Sequence, residues 1–156
     1  MELNAPWEFV SDTVMGGVSE GKLQTEIIAG RKATRLAGEV SLENNGGFIQ
    51  TAFDINEDGS IFDASAFTAI EIDVLCNAEI YDLRLRTSQL TRPWQSYRAS
   101  FLAPDKWTTV RILFTEFKPH KTETPFVSRL LRRIGVIEIG RIFSADVAVS
   151  AIRILA

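Results

Sequence analysis

The alternation of apolar and polar residues is the feature that most constrains the fold of this chain. Apolar residues recur with a period of two in many short segments, which Gly, Pro, Asn and Asp interrupt. Such segments form half-buried strands, and an antiparallel sandwich buries one face of each strand. We therefore predict an all-β sandwich with one short helix at most. The predicted strands cover residues 7–10, 22–28, 34–42, 48–54, 68–76, 80–87, 96–102, 108–114, 134–140 and 146–155.

The segment at residues 125–133 is the candidate for that helix. It begins with a proline, which a helix tolerates in its first turn, and it contains an apolar Leu-Leu pair that could pack inward. Its three arginines, Arg129, Arg132 and Arg133, are expected to form a solvated face rather than a binding site.

The composition indicates one ordinary globular domain over residues 1–156. Hydrophobic residues make up 46% of the chain and charged residues 24%, which excludes a disordered or low-complexity class. A chain of this length buries about two-thirds of its unfolded surface on folding. The net charge of -3 gives no electrostatic reason to expect a nucleic-acid partner.

The lone cysteine, Cys76, bears on both compartment and metal binding. One cysteine cannot form an internal disulfide or a multi-cysteine metal cluster. It is in phase with Ile70, Ile72 and Val74, so we expect a core thiol. No signal peptide, transit peptide or bilayer-spanning apolar stretch is visible, and we expect a cytoplasmic protein.

The two strands joined by residues 89–95 carry the most distinctive polar pattern. If these strands pair, alternation places Arg84, Arg86 and Arg98 on one polar face of a sheet. Tyr97 falls in the opposite phase and is expected to point into the core.

Two interpretations of this arginine face remain open. In the first, Glu71, Asp73 and Arg111 join the arginines in an exposed ladder of ion pairs, each worth about 0.2–1 kcal/mol. In the second, the face is concave and the arginines are donors beside the aromatic platform of Trp94. That combination suits a sugar or another polyhydroxylated or anionic ligand. The predicted ligand-binding residues are Arg84, Arg86, Arg98, Trp94 and Gln95.

Catalysis finds little support in the sequence. The single histidine, His120, lies in a polar segment with no cysteine or patterned carboxylate beside it, so we expect a surface histidine. No Gly-x-Ser-x-Gly elbow and no phosphate-cradling strand-to-helix turn is present. We therefore predict a protein that is not an enzyme, with no catalytic residues and no cofactor.

The oxygen-rich loop at residues 54–65 is the candidate metal site. The spacing of Asp54, Asn56, Asp58 and Gly59 resembles the start of an EF-hand calcium loop, but no bidentate glutamate follows. We expect a solvated turn and no bound metal.

Two glycine doublets lie near the start of the chain. Asn45-Gly46 favours the primed turns that join antiparallel strands, so it predicts a hairpin between its flanking strands. Met15 directly before Gly16 and Gly17 is a poor choice for an exposed turn. A simple bend and a pocket or partner surface both remain open there.

A family resemblance rests on these doublets and on two further features. The segments DTVMGGVS (residues 12–19) and LENNGGF (residues 42–48), with Trp7 and YDLRLRT (residues 81–87), resemble the complex I intermediate-associated protein family, thirty-kilodalton class. The resemblance covers nearly the whole chain and implies a galactose-binding-like jelly-roll sandwich. Known eukaryotic members are assembly factors for respiratory complex I, and related carbohydrate-binding modules share the architecture.

The resemblance implies a non-catalytic protein-interaction or assembly domain, with a respiratory-complex assembly intermediate as one possible partner. The predicted partner-binding residues are Asp12, Met15, Gly16, Gly17, Asn44 and Asn45. The alternative is a module that binds carbohydrate or another small polar ligand on the concave sheet.

Overall fold

The computed structural model describes residues 1–11, 19–41, 47–139 and 143–156, and within them strands dominate. The predicted all-β class is confirmed. The strands are β1 (Glu8–Ser11), β2 (Glu20–Ile28), β3 (Arg31–Val40), β4 (Phe48–Asp54), β5 (Ala69–Leu75), β6 (Ile80–Thr87), β7 (Ser96–Leu102), β8 (Thr108–Leu113), β9 (Lys118–His120), β10 (Leu131–Ile139) and β11 (Phe143–Leu155).

The strands form two antiparallel sheets. The six-stranded sheet has the order β1-β4-β10-β6-β7-β9, and the five-stranded sheet has the order β2-β3-β11-β5-β8. Their facing sides enclose one apolar core, to which β6 contributes the buried side chains of Leu83 and Leu85. The arrangement is the jelly-roll sandwich that the sequence predicts.

The predicted pairing of β6 with β7 is confirmed. Arg84 lies opposite Arg98 in this pair, and Leu85 lies opposite Tyr97. Tyr97 is fully buried, as its phase predicts. The arginines therefore lie on the outer face of the six-stranded sheet, the side away from the core.

The predicted helix at residues 125–133 is wrong. The structure has a single 3-10 turn at Ser128–Leu130, after which β10 begins at Leu131. A register shift in β10 between Leu131 and Arg133 puts both Leu131 and Ile134 into the core. A bulge of this kind gives a strand the i, i+3 apolar spacing of a helix.

The predicted hairpin at Asn45-Gly46 is also wrong in its strand pairing. The preceding strand, β3, pairs with β2 and β11, whereas the following strand, β4, pairs with β1 and β10. The chain therefore passes from one sheet to the other between β3 and β4. A local turn signal cannot report such non-local pairing. Asn45 and Gly46 themselves lie outside the described residues.

The predicted ladder of acids and arginines is divided between the two sheets. Glu71 lies opposite Arg111 on the five-stranded sheet. There the Arg153 guanidinium donates to Glu71 at 2.8 Å and to Asp73 at 2.8 Å. This acidic pair is therefore not part of the arginine face formed by β6 and β7.

Cys76 is a core thiol, as predicted. Its side chain is buried in the apolar cluster between the sheets. Burial raises the pKa of this thiol to about 12, because the thiolate is poorly solvated there.

Both short helical segments among the described residues are single 3-10 turns. Neither has the length or apolarity of a membrane-spanning helix.

Phe53 tests how much of the stability comes from the core. Its ring is fully buried in β4 and packs edge-on against Trp7, with ring centroids 4.7 Å apart. We expect Phe53→Ala to lower the free energy of unfolding by about 3–5 kcal/mol in urea denaturation, because it leaves a cavity. Ile27→Ala is the matched control, since Ile27 is 78% exposed, and we expect it to stay within about 0.5 kcal/mol of wild type. Equal losses for the two variants would contradict this placement of the core.

Candidate functional site

A groove of about 810 Å³ lies on the outer face of the six-stranded sheet. Residues of β1, β4, β6, β7, β9 and β10 line it, and so does the connection from β6 to β7. The lining residues used below are Gln50, Arg84, Arg86, Thr91, Pro93, Trp94, Gln95, Ser96, His120, Lys121, Arg132, Arg133, Gly135 and Ile137.

Gly135 makes room in the groove for a neighbouring amide. In the sheet it lies between Ala52 of β4 and Arg84 of β6. A Cβ atom built on Gly135 would collide with the side-chain amide of Gln50. The missing side chain therefore allows the Gln50 amide to lie over β10, where it is a donor and an acceptor on the groove surface.

Arg84 is held in a buried polar network. Its guanidinium donates to Asp82 Oδ2 at 2.9 Å and to Ser96 Oγ at 2.9 Å. Ser100 Oγ donates to the other oxygen of Asp82 at 2.7 Å. Burial lowers the pKa of Arg84, while the Asp82 carboxylate opposes that shift. Arg84 is thus a fixed donor whose charge is balanced within the sheet.

Arg86 fixes the connection that carries Trp94. Its Nη1 atom donates to the carbonyl oxygens of Arg92, Pro93 and Gln95, each at 2.9 Å. Burial lowers the pKa of Arg86, and the nearby positive charges of β10 lower it further. The connection is therefore anchored to the sheet at residues on both sides of Trp94.

The side chain of Gln95 braces the same connection from within. Its Oε1 atom accepts hydrogen bonds from the backbone N–H groups of Thr91 and Arg92, at 3.2 and 3.1 Å. The backbone N–H of Gln95 donates to the Arg92 carbonyl at 3.1 Å. Gln95 thus lines the groove and also shapes its boundary.

Trp94 is the exposed aromatic group of the groove. It is 52% exposed, and the Arg92 guanidinium lies 6.0 Å from its ring centroid. An indole with this exposure offers an apolar face, beside which the anchored connection and the sheet supply polar groups. Tyr97, the other aromatic group considered in the sequence, is in the core and donates to the Pro125 carbonyl.

His120 lies in a strand and is only partly exposed, whereas the sequence predicted a surface histidine. It belongs to the short edge strand β9, lies opposite Ser96 and lines the groove half-buried. Burial lowers the pKa of His120, and the positive charges of Arg84 and Arg98 lower it further. The imidazole is therefore held neutral near neutral pH.

The arginines of β10 also depart from expectation. Arg132 and Arg133 line the groove instead of forming part of a remote solvated face. Arg133 Nη1 lies 3.0 Å from Asp54 Oδ1, while Arg132 Nε donates to the Gly59 carbonyl at 2.7 Å. They were missed because β10 was expected to begin after them.

Polar groups of the oxygen-rich loop make hydrogen bonds within the protein. The carboxylate of Asp54 pairs with Arg133, and those of Asp58 and Asp63 accept from backbone N–H groups two residues further on. The Asn56 amide donates to the Ile61 carbonyl. Within the described residues no group of three acidic, His or Cys side chains converges as a metal-ligand set.

The structure thus brings together Arg84, Arg86, Trp94 and Gln95 of the predicted ligand site. Arg98 lies on the same face, 48% exposed and 3.9 Å from Asp82, next to rather than within the groove lining. The predicted partner-binding residues lie outside the described part of the chain. These are Asp12, Met15, Gly16, Gly17, Asn44 and Asn45.

An antiparallel two-sheet sandwich of this topology belongs to the class of jelly-roll, galactose-binding-like domains. The family 11 carbohydrate-binding module from Clostridium thermocellum, solved with a β-1,3-1,4-mixed-linked tetrasaccharide, has 12% identity and a TM-score of 0.75, with 99% of this chain and 94% of that chain covered. The family 30 module of the cellulase Cel9D-Cel44B from the same organism has 14% identity and a TM-score of 0.73, covering 100% and 95%.

A comparison of the sequence with models of protein families identifies the family of this chain. The chain belongs to the Complex I intermediate-associated protein 30 (CIA30) family, whose model matches residues 2–141. No curated protein matches the chain significantly. At these identities the carbohydrate-binding modules establish the fold, whereas the family model establishes the kinship.

The Asp82–Arg84 ion pair provides a test of the groove's polar framework. Both side chains are at most 10% exposed, so Asp82→Asn leaves a buried guanidinium without its counter-charge. We expect a loss of about 3 kcal/mol in the free energy of unfolding, measured by urea denaturation. Arg98→Gln is the control on the same face, and we expect it to change stability by less than about 1 kcal/mol, because Arg98 is 48% exposed and lies 3.9 Å from Asp82. A neutral Asp82→Asn variant would show that the network does not hold Arg84.

Proposed function

We propose that the chain is a non-catalytic binding domain that holds a carbohydrate chain in the groove of the six-stranded sheet. The observation that carries this proposal is the half-exposed indole of Trp94, held by an anchored connection beside a row of fixed hydrogen-bond donors. Sugar rings have apolar faces and hydroxyl edges, so an aromatic platform next to polar groups matches both surfaces.

The polar groups of the groove support the proposal because they are already in place. Arg84 is fixed by Asp82 and Ser96, and the Gln50 amide lies in the space that Gly135 leaves. Because these groups are already ordered, ligand binding loses little side-chain conformational entropy, which favours affinity. The mixed-linked tetrasaccharide bound by the similar family 11 module supports the same ligand class.

The groove lining also supports binding without cleavage. Glycoside hydrolysis commonly uses two carboxyl groups on either side of the scissile bond. Among the described residues that line the groove, none is Asp or Glu, and the buried Cys76 lies on the core side of the sandwich. His120 alone is a weak basis for general acid–base catalysis, since no carboxylate in the described lining orients it.

Trp94→Ala tests the carbohydrate proposal directly. We expect glycan affinity to fall at least about tenfold in titration calorimetry against a glycan panel that includes the mixed-linked tetrasaccharide, because the variant removes the apolar platform. Trp107→Phe is the control, since Trp107 lies elsewhere and donates to the Ile28 carbonyl. Unchanged affinity in Trp94→Ala, or equal losses in the two variants, would contradict the proposal.

Family membership supports a second candidate, a protein-interaction or assembly role. Its proposed contact residues are those of the glycine doublets, with Met15 as the apolar centre. Under this candidate the groove is not the primary interface.

Met15→Asp separates the two candidates. If the assembly role holds, a partner that co-purifies with the wild-type domain is lost from Met15→Asp and retained by Trp94→Ala, because a charge at the interface centre is costly to desolvate. Ile27→Asp is the surface control, since Ile27 is 78% exposed on β2. Loss of the same partner from Trp94→Ala but not from Met15→Asp would assign the interaction to the groove instead.

A further inference from the structure

The charges around the groove are unbalanced. Among the described lining residues the charged groups are cations, namely Arg84, Arg86, Lys121, Arg132 and Arg133. The chain as a whole has a net charge of -3, so this cationic surface is a local feature.

Two of these cations are neutralised by carboxylates below or beside the groove. Arg84 pairs with Asp82 at 2.9 Å, and Arg133 pairs with Asp54 at 3.0 Å. Within the described residues Arg86, Lys121 and Arg132 form no ion pair with a carboxylate. These three groups therefore give the groove its net positive charge.

Arg86 and Arg132 are fixed in position by backbone carbonyls. Arg86 donates to three carbonyls through Nη1, and Arg132 donates to the Gly59 carbonyl through Nε. These bonds to neutral carbonyls orient the guanidinium groups without adding a counter-charge. Burial is the largest cause of the lowered pKa of Arg86, repulsion from Arg132 and Arg133 lowers it further, and Asp54 opposes the shift. A bound anion near these arginines would reduce their repulsion.

The charge and the aromatic platform are parts of one local arrangement. The carbonyls that bind Arg86 belong to Arg92, Pro93 and Gln95, which flank Trp94 in the chain. A ligand ring stacked on Trp94 therefore lies close to a cation. A ring that bears its own carboxylate satisfies both groups at once, because guanidinium recognises carboxylate by charge-assisted hydrogen bonds.

We propose that the groove selects acidic glycans, whose sugar rings carry carboxylate groups, over neutral glycans. This inference rests on the proposed carbohydrate function and specifies its ligand class. An acidic peptide would also be attracted to the cations, but it lacks a sugar ring whose apolar face could stack on Trp94.

The test compares an oligogalacturonate with its fully methyl-esterified form, which has the same rings without the charge. We expect the acid to bind about tenfold to a hundredfold more tightly than the ester in titration calorimetry, and the difference to shrink as salt is raised. Trp94→Ala should weaken the binding of both forms.

Lys121→Glu isolates the effect of charge from folding, since Lys121 is exposed at the groove. We expect it to weaken binding of the acid while leaving binding of the ester unchanged. Arg129→Glu is the matched control, because it makes the same charge change at an exposed residue outside the groove lining. His120 gives a second readout by NMR titration, because a bound carboxylate should raise the pKa of His120 whereas the ester should not.

The outcomes separate the two proposals. Equal affinity for acid and ester would overturn the charge selectivity and leave the carbohydrate function standing. Binding of poly-glutamate as tight as that of the oligogalacturonate, unaffected by Trp94→Ala, would assign the groove to acidic peptides and overturn both. Failure of acid, ester and the mixed-linked tetrasaccharide to bind would overturn both as well.

Discussion

Strand β6 is the constraint on which both the core and the groove depend. It lies between β10 and β7, so its backbone is paired along both edges. Because side chains alternate between the two faces of a strand, Leu83 and Leu85 point into the core while Arg84 and Arg86 line the groove. A one-residue slip would place the guanidinium groups between the sheets and the leucines in water. The hydrophobic core therefore fixes the position of the groove donors.

The two arginines of β6 make different contributions to the same surface. Arg84 forms a buried pair with Asp82, and such pairs add little net stability because desolvation offsets the attraction between the charges. The pair instead fixes the orientation of Arg84, because hydrogen bonds to Asp82 and Ser96 hold its guanidinium. Arg86 donates to neutral carbonyls, which orient its guanidinium without neutralising its charge. One strand thus supplies a fixed donor whose charge is balanced by Asp82 and a second guanidinium that has no carboxylate ion pair among the described residues.

The sequence was sufficient wherever a feature depends on neighbours along the chain. Alternation predicted the bounds of β6 and β7, the sheet face that Arg84 and Arg98 share and the burial of Tyr97. Alternation failed where the pairing of strands that are distant in sequence determines the structure. The separation of β3 from β4 and the bulge at the start of β10 depend on strands distant in sequence, so Arg132 was misplaced. His120 was missed because β9 is too short to show alternation and is defined by its pairing with β7.

Arg86 both shapes the groove and contributes to its positive charge, so the proposed selectivity for acidic ligands depends on the same residue as the position of Trp94. Its guanidinium holds the segment that presents Trp94, and the same group provides a charge that forms no ion pair with a carboxylate among the described residues. Loss of Arg86 would therefore release the platform and remove the charge together, so its substitution cannot separate the two effects. Lys121 can, because it is exposed and contributes charge without anchoring that segment. A binding site in which one half-buried cation both shapes and charges the surface is preorganised, so the free-energy cost of ordering these groups is incurred on folding rather than on binding.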